Sequence, residues 1–453
     1  MTAPTVKLRT VQLFERPVTL RLPFRFGAAT VTRCPQAFVR VEAEIGGRTV
    51  VGATAELMVP KWFDKSPGFT HEQNFEQLRE ALRIAREAYL AEGDALSPWL
   101  LSSTCGEAAI THGVAVGLPR LAAQFGAALL DKAVADAALC AADLGWSAGV
   151  SRGVLGDPFS PTLAIAQPQD VWLRHTVGLA DRLTAHDDGI DPQDGLPATL
   201  QAAIAHYGLH YFKLKLSGQP EADVERLTRI AAVLQRHAPP DWRVTLDGNE
   251  SFASTEALAD LWQRLAATPA LAELLQRTLL LEQPLPRQIA LTEPVKDLAI
   301  PVPLILDEAD DHAEAFDEGI ALGYRGISTK ACKGLYRSLR SASLVARSAG
   351  RLLLSGEDLT CQAGLAVQQD TLLAASLGVT HIERNGHHYV DGFGTAPPDE
   401  AQAFGQAHAG FYAESGGRVR LAVHGGRLDL RTLHVSGFAS AAQPRWDSLV
   451  PIH

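Results

Sequence analysis

The chain has 453 residues, 46% hydrophobic and 20% charged, a composition that excludes a disordered protein and a length that exceeds one ordinary core. Its formal charge of −10 at pH 7 disfavours nucleic acid or an anionic membrane as the main partner, since both require a basic surface.

At the N-terminus, "MTAPTVKLRTVQLFERP" lacks the long apolar core of a signal peptide. No run approaches the ~20 apolar residues of a membrane span. Cys34, Cys105, Cys140, Cys332 and Cys361 are scattered and form no CxxC pair. That fits reduced thiols in a cytoplasmic protein better than a disulfide framework or a zinc site. The stretches "TVQLFERPVTL", "AFVRVEAEI" and "RTVVGATAEL" predict strands, with Gly46-Gly47 as a hairpin turn. A helix follows over 71–93, where Phe75, Leu78, Leu82, Ile84, Ala88 and Leu90 supply the apolar stripe and Gly93 the stop. Two more Ala/Leu-rich helices run to about residue 143. Strands first and helices after make residues 1–150 a separate α+β domain.

From about residue 170 short apolar strands alternate with helical stretches: "DVWLRHTV", "HYFKLKL", "WRVTLD", "TLLLEQP", "VPLILDE", "YRGISTK", "RLLLSGED" and "VTHIERN". Their near-continuous hydrophobicity means burial on both faces, as in a parallel sheet covered by helices. Eight such units predict a (β/α)8 barrel over 151–400. Residues 401–453 read as a helix and strand-rich segment that returns to the first domain. A doubly wound sheet is the weaker alternative, because neither GxGxxG nor GxxxxGK[ST] follows a strand; "GFGTAPP" reads as a loop.

In a parallel barrel, catalytic groups come from the C-terminal ends of the strands. Here the second strand ends in Lys213 and Lys215, the third in Asp247, the fourth in Glu282, the fifth in Asp307 and the sixth in Lys330. From Lys215 onward the separations are 32, 35, 25 and 23 residues, each about one β-α unit. An edge-strand lysine pair or helix-capping aspartates would explain any one of these residues alone. Five consecutive strands ending in charge make a site.

Three converging carboxylates repel one another unless a cation holds them. An all-oxygen donor set selects Mg²⁺, with Mn²⁺ as a substitute. Lys215 and Lys330, four strands apart, face each other across the barrel, one on each side of a bound α-carbon. That arrangement serves proton abstraction next to a carboxylate. Lys213 and Lys215 lie two apart on one strand, ~6.6 Å from each other, and repel by roughly 2–3 kcal/mol at an effective dielectric near 20. This repulsion favours loss of one proton.

The combination resembles the enolase superfamily, specifically its muconate-lactonizing-enzyme-like branch in the mandelate racemase/muconate lactonizing enzyme family; a Lys or His base with magnesium is the general description of such sites. The residues carrying the resemblance are Lys213-Leu214-Lys215, Asp247-Gly248-Asn249, Glu282, Asp307-Glu308 and Lys330-Ala331-Cys332-Lys333-Gly334. It implies a modified (β/α)8 TIM-type barrel with an N-terminal α+β capping domain, α/β in class. It further implies Asp247, Glu282 and Asp307 as metal ligands and Lys215 and Lys330 as acid/base groups. Lys213 would be an electrostatic helper, Asn249 and Glu308 their outer partners, and the protein a homo-oligomer. The seventh strand, "LLLSGEDLT", has no histidine, which supports the two-lysine branch. The eighth, "THIERNGHHYVDGF", lacks the DxD of dipeptide epimerases, and the sixth has one glycine where KxxxxGG is usual.

Glu357 and Glu383 end the last two strands, as substrate-binding groups or structural salt bridges. Lys333 reads as a surface or outer-partner lysine, and His387 and His388 as exposed-loop residues or, alternatively, a substrate-gating pair. "PFRFG" and "PKWFDK" place Arg25, Trp62 and Phe63 in predicted loops, which the resemblance implies close over the barrel mouth; from the residues alone an interface patch explains them as well. The expected activity is Mg²⁺-dependent α-proton abstraction from a small carboxylate-bearing molecule, with racemisation or epimerisation ahead of β-elimination (dehydration or cycloisomerisation). A non-catalytic metal-binding barrel is the alternative of a different class.

Overall fold

The computed structural model describes residues 2–27, 29–359 and 362–453. The N-terminal sheet is antiparallel, with β1 (Val6–Phe26), β2 (Ala29–Ile45) and β3 (Arg48–Leu57) as consecutive neighbours. Gly46 and Gly47, both at positive φ, close the β2–β3 hairpin with Ile45 opposite Arg48. This turn matches the sequence expectation, because two successive left-handed residues suit the twist of flanking strands. β1 is longer than the sequence suggested. Leu20, Leu22, Phe24 and Phe26 alternate inward while Arg25 is exposed, so "PFRFG" is the end of a strand and not a loop.

Helix α1 (His71–Ala91) begins with a capping box between Thr70 and Gln73. Its buried stripe includes Phe75, Leu78, Leu82, Ala85 and Tyr89. Leu90, expected in that stripe, is 40% exposed, because it stands a full helical step of ~100° from Tyr89. Helix α2 (Arg120–Ala142) lies between α1 and the sheet and is buried along almost its whole length. Two glycines permit that approach. A Cβ on Gly52 would stand 2.0 Å from Ala133 O, and one on Gly126 2.0 Å from Ala81 O.

Eight parallel strands form the barrel: β4 (Asp170–Val177), β5 (Tyr211–Lys215), β6 (Arg243–Asp247), β7 (Thr278–Glu282), β8 (Leu304–Leu306), β9 (Gly326–Thr329), β10 (Leu353–Gly356) and β11 (His381–Glu383). They neighbour one another in chain order, and β11 pairs with β4 in parallel, Glu383 opposite Arg174. Closure settles the choice between barrel and open sheet. The eight strands are those read from the sequence.

The C-terminal segment touches both parts of the molecule. Arg427–Asp429 adds antiparallel to β4, and Val450–Pro451 pairs with β1 at Phe14 and Glu15. Arg16 on β1 holds Glu400 through two bonds of 2.7 Å, both side chains buried. Among the described residues, Cys34, Cys105, Cys140 and Cys332 are free thiols, and no helix is long and apolar enough to cross a membrane; Cys361 lies outside the described residues.

Candidate active site

The carboxyl ends of β5 to β11 bring the charged residues together, all of them buried. Strand register sets the pairs: Lys215 lies opposite Asp247, and Asp247 opposite Glu282. Lys215 Nζ is 2.6 Å from Asp247 Oδ2. Lys213 Nζ sits among four carboxylates, at 2.6 Å from Glu357, 2.7 Å from Glu282, 2.8 Å from Asp247 and 2.9 Å from Glu383. Burial disfavours its charged form, but those carboxylates overcome burial and hold Lys213 well above the usual lysine range.

One strand further on, Asp307 follows β8. Its carboxylate accepts from Lys330 Nζ at 2.6 Å and from Ser328 Oγ, and its backbone N–H donates to Gln283 Oε1. Lys333 Nζ lies 3.6 Å from Asp307 Oδ1 and 2.9 Å from Asp310. Burial would raise the Asp307 carboxyl, but the three lysines 330, 333 and 213 hold it well below the carboxylate range. Lys330 is raised in turn: burial works against its ammonium, and Asp307 and Glu282 outweigh burial. Lys333 is 1% exposed, so the surface alternative for it is overturned; it reaches under β9 to donate to Ser328 O.

Glu282 differs from its neighbours. Both of its oxygens are buried and neither accepts a hydrogen bond among the described residues. Burial, with the nearby charges of Asp247 and Glu357, pushes it well above the carboxylate range. Glu308 Oε2 and Asn249 Oδ1 are likewise buried without a donor. Asn249 bridges, accepting nothing at that oxygen but donating from its backbone to Asp247 and from Nδ2 to Glu308. Among the described residues no three His, Cys, Asp or Glu side chains are grouped as a ready ligand set; lysine amines instead take the carboxylate oxygens. The donor chemistry nevertheless fits a hard divalent cation, since the carboxylates offer oxygen donors and Glu282, whose sole ion pair among the described residues is the shared Lys213, has lone pairs to spare.

Between the lysines lies a cavity of about 20 Å³, lined by Lys215, Lys330, Phe24, Phe26, Val59, Trp62, Asn249, Asp358, Leu359 and Glu383. Lys330 Nζ stands 4.5 Å from the Trp62 ring centre, and Lys215 Nζ 5.9 Å from that of Phe24. Trp62 is 2% exposed, in a loop that Arg287 pins by donating to the carbonyls of Trp62 and Phe63. Lys65, from the same loop, pairs with Glu250 at 2.6 Å. Arg25 does not reach this inner cavity. It lines an outer vestibule of about 720 Å³ that shares Phe26 and Asn249 with it.

Sequence reasoning missed four contributors. Arg174 and Thr176 on β4 hold Glu357 and Glu383; a pair of polar residues two apart inside an apolar strand was the available signal. Phe24 and Phe26 were hidden by the assignment of their stretch to a loop. His387 and His388 are buried, which overturns the exposed-loop reading. They lie on the short helix Gly386–Tyr389, which tucks beneath β1 so that Tyr389 meets Phe24 with ring centres 4.5 Å apart.

Residues 196–404 match the family described as Enolase C-terminal domain-like. No curated protein matches the sequence. Among solved structures, a dipeptide epimerase from Cytophaga hutchinsonii complexed with Mg and D-Ala-L-Val is similar at 16% identity, covering 100% of both chains with a TM-score of 0.62. A muconate lactonizing enzyme from Pseudomonas fluorescens complexed with muconolactone is similar at 13% identity, covering 97% of each chain with a TM-score of 0.63. An enolase from Bradyrhizobium complexed with magnesium and mandelic acid is similar at 18% identity over 94% of this chain and 93% of that one, with a TM-score of 0.60. The segment 196–404 matches that family's model, and the chain as a whole shares the fold of these proteins.

Proposed function

We infer that this protein is an enzyme that moves the α-proton of a small carboxylate, with Lys215 and Lys330 as the proton-transfer pair and racemisation or epimerisation as the outcome. One observation supports the reading above all others: two lysines from opposed strands line a single cavity. A carbon lodged there presents one face to each amine. The lysine that is neutral takes the proton, its electron pair stays on the substrate, and the opposite ammonium returns a proton to the other face. The next turnover starts from the reversed protonation state or after exchange with solvent.

Asp247, Glu282 and Asp307 would hold Mg²⁺, which when bound supplies positive charge for the negative charge that grows on a substrate carboxylate. Lys213 keeps Glu357 and Glu383 in place behind them. Phe24, Phe26, Trp62 and Leu359 exclude water and favour an apolar group on the α-carbon. About 20 Å³ accommodates little more than one water, so substrate binding requires the Trp62 loop or the β1 tip to shift. A binding protein without catalysis would gain nothing from a second buried lysine on the far wall.

The test is incubation of resolved α-substituted carboxylates with Mg²⁺ in D₂O. Racemisation is expected to place deuterium on the α-carbon of both enantiomers with inversion. Loss of a β-substituent with no inverted product would move the assignment to elimination, and an absence of exchange across hydroxy, amino and acylamino acids would reject proton transfer.

A further inference from the structure

A second cavity lies on the opposite side of α2 from the sheet, about 220 Å³ in volume, between that helix and the turn after β9. One wall is aromatic. Trp99 meets Phe159 edge-on at 5.4 Å and Tyr336 at 5.1 Å between ring centres. The other wall carries Asp131 and Gln124 from α2.

The polar groups here are not balanced. Asp131 is 6% exposed, and among the described residues its oxygens accept only from neutral hydroxyls, Tyr89 at 2.5 Å and Ser102 at 2.7 Å. Burial pushes its carboxyl up to about 7, as befits an acid without a counter-charge. Tyr336 Oη and Gln124 Oε1 are buried and have no hydrogen-bond partner among the described residues. The basic residues on the rim are already committed: Lys333 to Asp310 at 2.9 Å, Arg337 to Asp310 at 3.2 Å and Arg340 to Asp317 at 2.8 Å. Ser102, which holds Asp131, opens a single π-helical turn, Ser102–Gly106, a departure from α geometry that recurs at functional sites.

An uncompensated carboxylate, an orphaned amide oxygen and an orphaned phenol together ask for a ligand that donates hydrogen bonds and carries positive charge. The aromatic wall asks for the same charge on an apolar body. We propose that this cavity is a binding site for a small protonated amine with an aromatic or apolar body, distinct from the barrel mouth. The ammonium lies against Asp131 and Gln124 Oε1, and the apolar body lies on Trp99 and Tyr336. Its floor is the turn that follows Lys330, tied to α2 by the bond from Gln124 Nε2 to Lys333 O.

Calorimetric titration of the full chain with benzylamine tests this, with benzyl alcohol and benzoate as controls. One site is expected, with benzylamine about tenfold tighter than the alcohol and benzoate without saturable heat. Asp131→Asn is expected to weaken benzylamine at least tenfold, and Tyr336→Phe about threefold. Lys215→Ala should leave its affinity unchanged, which separates this site from the barrel mouth. The proposal is overturned if the amine binds no better than the alcohol, or does not saturate at millimolar concentration. It is also overturned if affinity survives Asp131→Asn in a folded protein. Should that variant not fold, unchanged affinity in Tyr336→Phe overturns it.

Discussion

Lys213 Nζ lies within 3 Å of four carboxylates from four different strands, so one amine carries the balance of charge at the barrel mouth. Removing it leaves buried acids uncompensated, which costs about 3–5 kcal/mol when one partner of a buried pair is lost. Lys213→Met is therefore expected to lower the unfolding free energy from urea melts by that amount in chelator, and added Mg²⁺ to recover part of the loss. In the wild type, Mg²⁺ at ~100 times its Kd should add about 2.7 kcal/mol. Glu282→Gln should abolish that increment, since neither of its oxygens accepts a hydrogen bond among the described residues and its charge is met only by the shared Lys213; an undiminished Mg²⁺ effect in this variant would contradict its role as a ligand. These residues were legible in the sequence because an acid or amine ending an apolar strand is costly and five in succession demand a reason. Arg174 was less legible, since its partner Glu357 lies 183 positions away and nothing local announces the pair.

At the scale of elements, β4 and the short helix after β11 share a buried histidine cluster. His175 Nδ1 and His387 Nε2 are 3.0 Å apart, and the His388 ring lies 4.8 Å from that of His175. Burial holds His175 down at about 3 and pushes His387 and His388 well below the usual imidazole range, with their neighbours adding to the effect. The folded state keeps these rings neutral while the unfolded chain protonates them near pH 6.5. Their contribution to stability is thus complete above pH 6.5 and falls as pH drops from there toward 3, at about 1.4 kcal/mol per pH unit for each ring. His175→Gln is expected to flatten the fall between pH 6 and 4 by about one such slope in urea melts, and an unchanged slope would mean that His175 is protonated in the fold. The cap offers a second check. Gly52→Ala drives a methyl into the α2 backbone and should cost about 1–3 kcal/mol or more. The barrel strands were readable from their steady alternation with helices. The end of β1 was not, because Pro23 and Gly27 make the stretch look like a loop until cross-strand pairing with Thr30 and Val31 is seen.

The whole molecule is a barrel whose mouth is covered by the tip of β1 and the Trp62 loop, with the C-terminal segment bonded to both parts. The loop is held by Arg287, which donates to its carbonyls, and by its own Lys65, which pairs with Glu250. Arg287→Ala frees it without touching the lysines, so KM should rise about tenfold with kcat changed much less; an equal fall in kcat and in stability would assign Arg287 a purely structural part. Composition and strand spacing carried the barrel and its charged rim. They could not carry the substrate, because the aromatic cover comes from residues 24, 26 and 62, which meet the barrel only in the folded chain. The most direct measurement of the two-lysine account is α-proton exchange in D₂O on each enantiomer of a turned-over acid, by wild type, Lys215→Ala, Lys330→Ala and the double variant. Each single variant is expected to lose exchange from one enantiomer by about 10²–10⁴-fold while retaining it from the other, and the double variant to lose both. Exchange that persists from both enantiomers in the double variant would contradict the account.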